Sequence, residues 1–268
     1  MATHSLEVGF LRVGTLKIEI YPDGQAAGNA AAQAAAIAII QQAQCSGDIG
    51  VIFATGASQI NTLRALIAIP GIPWNRVIGF HMDEYENLQL DHPASFHAYL
   101  KERLTSRVSM KEFNEIDGTV ADLNQLCNEY RKKLRVANPK LCLLGIGENG
   151  HLAFNDPPVA DFNDPQDMKI VTLDAECRQQ QYAEGWFKSL REIPERAVTL
   201  TIPTLFRVPK LIASVPGPRK AHIVYRALTE PISTACPSTI LRTHPDCTLY
   251  LDRESASELK DMPFHQGR

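Results

Sequence analysis

A run of apolar residues, Leu141-Cys142-Leu143-Leu144, ends in Gly145 and Gly147, and Glu148, Asn149, His151, Asn155 and Asp156 follow at once. This is the pattern of a buried parallel strand that delivers a site at its carboxyl end, where open α/β sheets bind ligands. The glycines let the backbone turn sharply and approach a ligand closely. His151 can exchange protons near neutral pH, and Asp156 or Glu148 can orient it or raise its basicity. A Gly-rich turn carrying a solvated histidine would produce the same string.

Three further stretches hold groups with chemistry. Thr55-Gly56-Ala57-Ser58 stands between an apolar strand over 49–54 and a helical period over 59–69. Free backbone N–H groups and the helix dipole would face an anion there, and two hydroxyls add donors. Neither GxxxxGK[ST] nor GxGxxG is present, so the stretch is not a nucleotide fingerprint. A plain strand-to-helix turn with Ser58 as cap is the alternative. Pro216-Gly217-Pro218-Arg219-Lys220 follows another strand, over 210–215, and forms a second candidate anion site. Its alternative is a pair of basic residues on an exposed helical turn. Finally, Asp83 and Glu84 end the strand predicted over 76–82. Carboxylates there are costly to bury unless they face a cleft or a partner, which makes Asp83 a candidate general base. An acidic surface loop is the simpler reading.

The elements that must position these groups alternate regularly. Strands are predicted over 17–21, 49–54, 76–82, 141–144, 169–173, 197–202, 210–215 and 247–251, about eight in all. Helices are predicted over 25–44, 59–69, 94–104, 120–136 and 174–186, with shorter ones near 203, 219 and 237. The strand over 17–21 alternates like a half-exposed or edge strand. The helix over 94–104 has a cap at Asp91 or near His92, and the tail beyond 252 reads as helical or frayed. Residues 1–15 carry no clear pattern. The expectation is an α/β fold: a single three-layer domain over 1–268, with a mostly parallel Rossmann-like sheet and helices on both faces.

Composition narrows the partners. The chain has 268 residues with 44% hydrophobic and 21% charged, as in an ordinary soluble globular protein. A net charge of -3 leaves no basic footprint for nucleic acid or a membrane surface, so an anionic substrate must be held by a few placed donors. The six cysteines are scattered with no CxxC and no metal spacing. With a polar N-terminus and no apolar run near membrane length, this reads as reduced and cytoplasmic. The oligomeric state is not encoded in any of these patterns, which leave a homo-oligomer open.

Four blocks in order resemble the glucosamine-6-phosphate deaminase (isomerase) family and its 6-phosphogluconolactonase relatives. They are residues 54–58, residues 80–85 with 91–96, residues 145–157, and Pro218-Arg219-Lys220. The resemblance spans roughly residues 16–252. It implies that Asp83 is the proton acceptor at substrate carbon 2 and His151 the ring-opening histidine, with Asn149 and Asp156 assisting. It implies that Lys220 and the loop Thr55, Gly56, Ala57, Ser58 bind phosphate, and it puts Glu84 among the substrate-binding residues. No metal or organic cofactor is implied, because a carbonyl acidifies the C2 proton and the amine leaves through an iminium. The implied activity is conversion of glucosamine 6-phosphate and water to fructose 6-phosphate and ammonia.

The chain departs from the family pattern in several places. Relatives often carry Asp at the place of Asn149, and an amide can only orient His151 by hydrogen bonding. Relatives usually carry Glu at the place of Asp156, which is one methylene shorter. The arginine that some members place in a lid has no clear match in Arg178-Gln179-Gln180-Gln181, so Arg178 and Arg219 are the candidates for that role. The basic run that precedes Thr172 in members with an allosteric amino-sugar site is reduced to Lys169. Two other readings stand beside the deaminase. One is a 6-phosphogluconolactonase-like hydrolase, disfavoured by Leu152-Ala153-Phe154-Asn155-Asp156 after the Gly-His pair. The other is a non-catalytic sugar-phosphate-binding relative.

Overall fold

The computed structural model describes residues 9–45, 47–259 and the backbone of 265–266. In chain order the elements are β1 (Gly9–Val13), β2 (Leu16–Tyr21), α1 (Gly24–Cys45), β3 (Ile49–Phe53), α2 (Ile60–Ala68), β4 (Val77–His81), β5 (Asp83–Tyr85), α3 (Phe96–Leu100), β6 (Glu112–Asn114), α4 (Leu123–Ala137) and β7 (Leu141–Leu144). There follow β8 (Met168–Thr172), α5 (Ala175–Ala183), β9 (Arg196–Leu200), α6 (Ile202–Phe206), β10 (Lys210–Ser214), α7 (Ala221–Thr229), β11 (Cys247–Asp252) and β12 (His265–Gln266).

Nine strands form the main sheet in the order β12-β1-β2-β11-β10-β7-β3-β4-β6. Every pairing from β2 to β6 is parallel, and β1 is antiparallel to both β2 and β12. The fold is therefore α/β with a mostly parallel sheet. The strands β3, β4 and β6 advance toward one edge, while β7, β10 and β11 advance toward the other. The order thus reverses between β3 and β7, and a crevice opens at their carboxyl ends.

Fully buried strands explain the continuous apolar runs: β3, β7 and β11 have no exposed residue. On one face, α1 presents Ala31, Ala32, Ala35, Ala36 and Ile39 to a core with Val51, Phe53, Leu63, Leu66 and Leu143. Its small side chains let the helix lie close to the sheet, and the Asp23 carboxylate caps it by accepting from Ala26 N at 2.8 Å. The other face packs Tyr130 and Leu134 of α4 and Ile223, Val224 and Leu228 of α7 against Ile52, Leu144, Ala213 and Leu249.

The structure corrects the sequence reading in several places. Twelve strands are present among the described residues instead of about eight. The four additions are β1, β5, β6 and β12, none longer than five residues. The strand β2 lies inside the sheet, covered by β1, so it is not an edge. The segments β8 and β9 do not join the parallel sheet; with β5 they form a separate antiparallel sheet in the order β5-β9-β8. Propensity identifies a strand but not the sheet it joins. Helix α3 is capped by Ser95, whose side chain accepts from Ala98 N, not by residues 91 or 92. The tail is in turns as far as Glu258, and beyond 259 the prediction, like the reading of the first eight residues, lies outside the described residues.

Candidate active site

The cleft at the sheet reversal is lined by the ends of β3, β4 and β7, the start of β5, one face of α5, and Lys220. At the end of β7 the chain turns through Gly147, whose N–H donates to the His151 carbonyl at 3.0 Å. A Cβ at Gly147 would stand 2.2 Å from the His151 ring, so only glycine lets the imidazole fold back over the turn. Nδ1 of His151 lies 2.8 Å from Oδ1 of Asp156. The contact is close but not aligned as a hydrogen bond, since Nδ1 has no such partner.

Asp156 is fully buried and held from several sides. Asn149 Nδ2 donates to its Oδ1 at 3.0 Å, and Asp174 N donates to its Oδ2 at 3.2 Å. Burial pushes this carboxyl up, but His151 beside it and these donors together hold it below the usual aspartate value. Asn149 has a second task. Its Oδ1 accepts from His151 N at 3.0 Å, so one amide fixes both the histidine backbone and the carboxylate. Glu148, the other sequence candidate for orienting His151, is instead paired with Arg219 at 2.7 Å.

Asp83 reaches the cleft because the chain changes sheets there. The last residue of β4 is His81; β5 starts two residues later and pairs with β9, and Leu200 N donates to the Met82 carbonyl at 3.0 Å. Asp83 is only 6% exposed, and among the described residues no donor contacts its carboxylate. Burial drives its carboxyl well above the usual range, and the charges of Glu84 and Asp156 push the same way. A buried acid with a raised pKa in a cleft is a candidate functional group, here for accepting a proton.

The half of the cleft that the sequence marks for anion binding is built from two similar turns. Gly56 (φ 86°) and Gly217 (φ 96°) each open a single 3-10 turn, over Ala57–Gln59 and Pro218–Lys220, that leads into α2 and α7. The third residue of each turn reaches across to the end of β7 or the loop just after it. Gln59 Nε2 donates to the Leu144 carbonyl at 3.0 Å, and Lys220 Nζ donates to the Ile146 carbonyl at 2.8 Å. Thr55, Gly56, Ala57 and Ser58 all line the cleft, as does Lys220, whose two remaining N–H donors are not used by that carbonyl. Tyr99 Oη holds the first turn through the Gly56 carbonyl at 2.9 Å. Phe96 and Phe154, stacked with ring centroids 5.5 Å apart, supply an apolar wall.

Three predicted residues lie elsewhere. Glu84 is fully buried behind the cleft and anchors the start of α3. Its carboxylate accepts from Tyr85 N, Phe96 N, His97 N and Ser95 Oγ at 2.8 to 3.2 Å. Burial raises it to about 7 in spite of these donors. Arg178 does not line the cleft; it donates to the Leu190 and Ile193 carbonyls and ties α5 to the following turn. Arg219 is engaged with Glu148 on the rim, outside the lining.

Sequence reasoning missed the wall formed by α5. Gln180, Gln181 and Glu184 face the cleft, with Cys177 one turn earlier beside Asp156. Gln180 bridges the site, accepting from Glu148 N at 2.8 Å and donating to Glu184 Oε1 at 2.7 Å. The signal was present. Residues 177, 180, 181 and 184 follow the i, i+3, i+4, i+7 spacing that a helix normally gives to its apolar stripe, and here it is polar.

Comparison with known proteins agrees with this geometry. A family described as glucosamine-6-phosphate isomerases/6-phosphogluconolactonase matches residues 22–249. A glucosamine-6-phosphate deaminase of Exiguobacterium sibiricum is 34% identical over 188 residues, covering 70% of this chain and 73% of the relative. Another from Thermoanaerobacter pseudethanolicus is 30% identical over 214 residues, covering 78% and 83%. A solved monomeric glucosamine-6-phosphate deaminase superposes with a TM-score of 0.83 at 28% identity, covering 90% of this chain and 99% of that one. A 6-phosphogluconolactonase from Thermotoga maritima, at 19% identity and a TM-score of 0.72, shares the fold. The chain belongs to the glucosamine-6-phosphate isomerase/6-phosphogluconolactonase family.

Proposed function

We propose that the protein is a glucosamine-6-phosphate deaminase, converting glucosamine 6-phosphate and water to fructose 6-phosphate and ammonia. The observation that carries this reading is Asp83, a buried carboxylate with raised basicity and no described donor, in the cleft that His151 also lines with Asp156 against its ring. A lactone hydrolase has no need to abstract a proton from carbon, whereas aldose–ketose isomerisation requires it.

In this reading the phosphate rests on Lys220 and the Thr55–Ser58 turn. His151 moves a proton between the ring oxygen and O1, and so opens the sugar. Asp156 lies against the His151 ring, and Asn149 holds both groups in place. Asp83 removes the C2 proton from the open aldehyde and returns it to C1. The bond order shifts to leave a C2 iminium, which water hydrolyses to the ketose and ammonia. An acceptor more basic than an ordinary aspartate suits proton removal from carbon. The cytoplasmic expectation belongs to this proposal, supported by six cysteines none of which forms a disulfide.

The test is ammonia release from glucosamine 6-phosphate, with hydrolysis of 6-phosphogluconolactone measured in parallel. Ammonia together with fructose 6-phosphate is expected. Lactone hydrolysis without ammonia would overturn the proposal.

A further inference from the structure

The polar face of α5 brings a sulfur into contact with the proton-handling pair. A His151 ring nitrogen, an Asp156 carboxylate oxygen and Cys177 Sγ all lie within 4.8 Å of one another, and all three residues are buried. His151 is 9% exposed, and its Nδ1 has no hydrogen-bond partner although a carboxylate oxygen is 2.8 Å away. One nitrogen, one oxygen and one sulfur donor form a set suited to a borderline-soft divalent ion. The charges also fit, because a thiolate and a carboxylate together neutralise a divalent cation in a buried position. Since His151 lines the cleft, an ion held on its ring would sit directly behind the cleft wall.

We infer that Cys177, His151 and Asp156 form a binding site for one zinc-like divalent cation, and that occupancy of this site blocks the cleft. On binding, the Cys177 S–H bond breaks, its proton leaves to solvent, and the sulfur electron pair bonds to the metal. His151 binds as the neutral imidazole, with its ring-nitrogen lone pair on the metal. The imidazole can then no longer carry the ring-opening proton. The metal site stands on the donor geometry alone; the loss of activity rests on the deaminase reading.

The experiment is a titration of the reduced full-length protein with Co2+, followed by absorption spectroscopy. A thiolate-bound tetrahedral cobalt site gives a sulfur-to-metal charge-transfer band and intense d–d bands. We expect both, saturating at one cobalt per chain and displaced by one equivalent of zinc. Cys177→Ser should abolish the charge-transfer band, and thermal melting checks that the variant is folded. His151→Ala keeps the sulfur and should weaken cobalt binding at least about ten-fold, through loss of one of three ligands. Zinc should inhibit the wild-type enzyme, and Cys177→Ser should relieve that inhibition at least about ten-fold. Absence of the band in the wild type, or an equal band in folded Cys177→Ser, would overturn the site. A band without deaminase activity would leave the site standing and count against the function proposed above.

Discussion

Asp83 and Asp156 are both aspartates and both buried, one lining the cleft and the other behind it against His151, yet their surroundings push them in opposite directions. Asp156 has a histidine at 2.8 Å, an amide donor and a backbone N–H, and it is held below the usual range. Asp83 has no described donor and two carboxylates nearby, and it is driven well above that range. Burial acts on both; what differs is the number of groups that favour the charged form. One carboxyl is thus held towards its ionised form beside a histidine, while the other is made more basic. In the proposed reaction environment divides two identical side chains into two roles, as in other acid–base sites with paired carboxylates.

The comparison breaks most severely at Asp83. Asp83→Asn should lower kcat by about 10² to 10⁴-fold, the usual contribution of a general base, with binding of sugar phosphate retained in calorimetry. Turnover nearly equal to wild type would remove Asp83 from proton transfer. The wild-type pH profile sharpens the same point. Asp83 must be ionised to accept a proton and its carboxyl is raised, so activity should fall with acidification at an apparent value above that of an ordinary aspartate. Asp156→Asn should cost roughly 10²-fold in kcat, because His151 loses its anionic partner while Asn149 and Asp174 still hold the loop. If Asp156→Asn proved as severe as Asp83→Asn, the two roles would not be separate.

Smaller effects test the scaffold around the pair. Lys220→Ala should raise KM for glucosamine 6-phosphate roughly ten-fold through loss of one charge-assisted contact, with little change in kcat. Glu84→Gln should leave chemistry largely intact but destabilise the fold by about 1–3 kcal/mol, since an amide cannot accept from all four donors. Glu84 also leaves a pH signature. Its folded value of about 7 lies above the ordinary 4.5, so the folded state binds more protons than the unfolded state between those values. Wild-type stability from this group is therefore complete below 4.5 and declines as pH rises toward 7. Denaturant melts of Glu84→Gln should lack that slope.

Much of this molecule follows from local sequence. The apolar runs over 49–54 and 141–144 name two central strands, because a strand buried on both faces reads as a continuous apolar run. Gly56 and Gly217 mark the turns that follow β3 and β10, because both adopt a positive φ that other residues avoid. His151 and Lys220 stood out in the sequence as candidates in the turns that follow strands, and both line the cleft. The tertiary structure alone decided three matters. It sent β5, β8 and β9 into a second sheet, a choice that depends on long-range pairing, and so placed Asp83 at the edge of the cleft. It put Glu84 behind the wall while its neighbour Asp83 faces inward, since successive strand residues point to opposite sides. It also turned α5 so that Cys177, Gln180 and Glu184 meet groups distant in sequence. Local patterns determine which elements form and where their ends lie. Which buried charge meets a donor, and which stands alone, is set only when those elements pack.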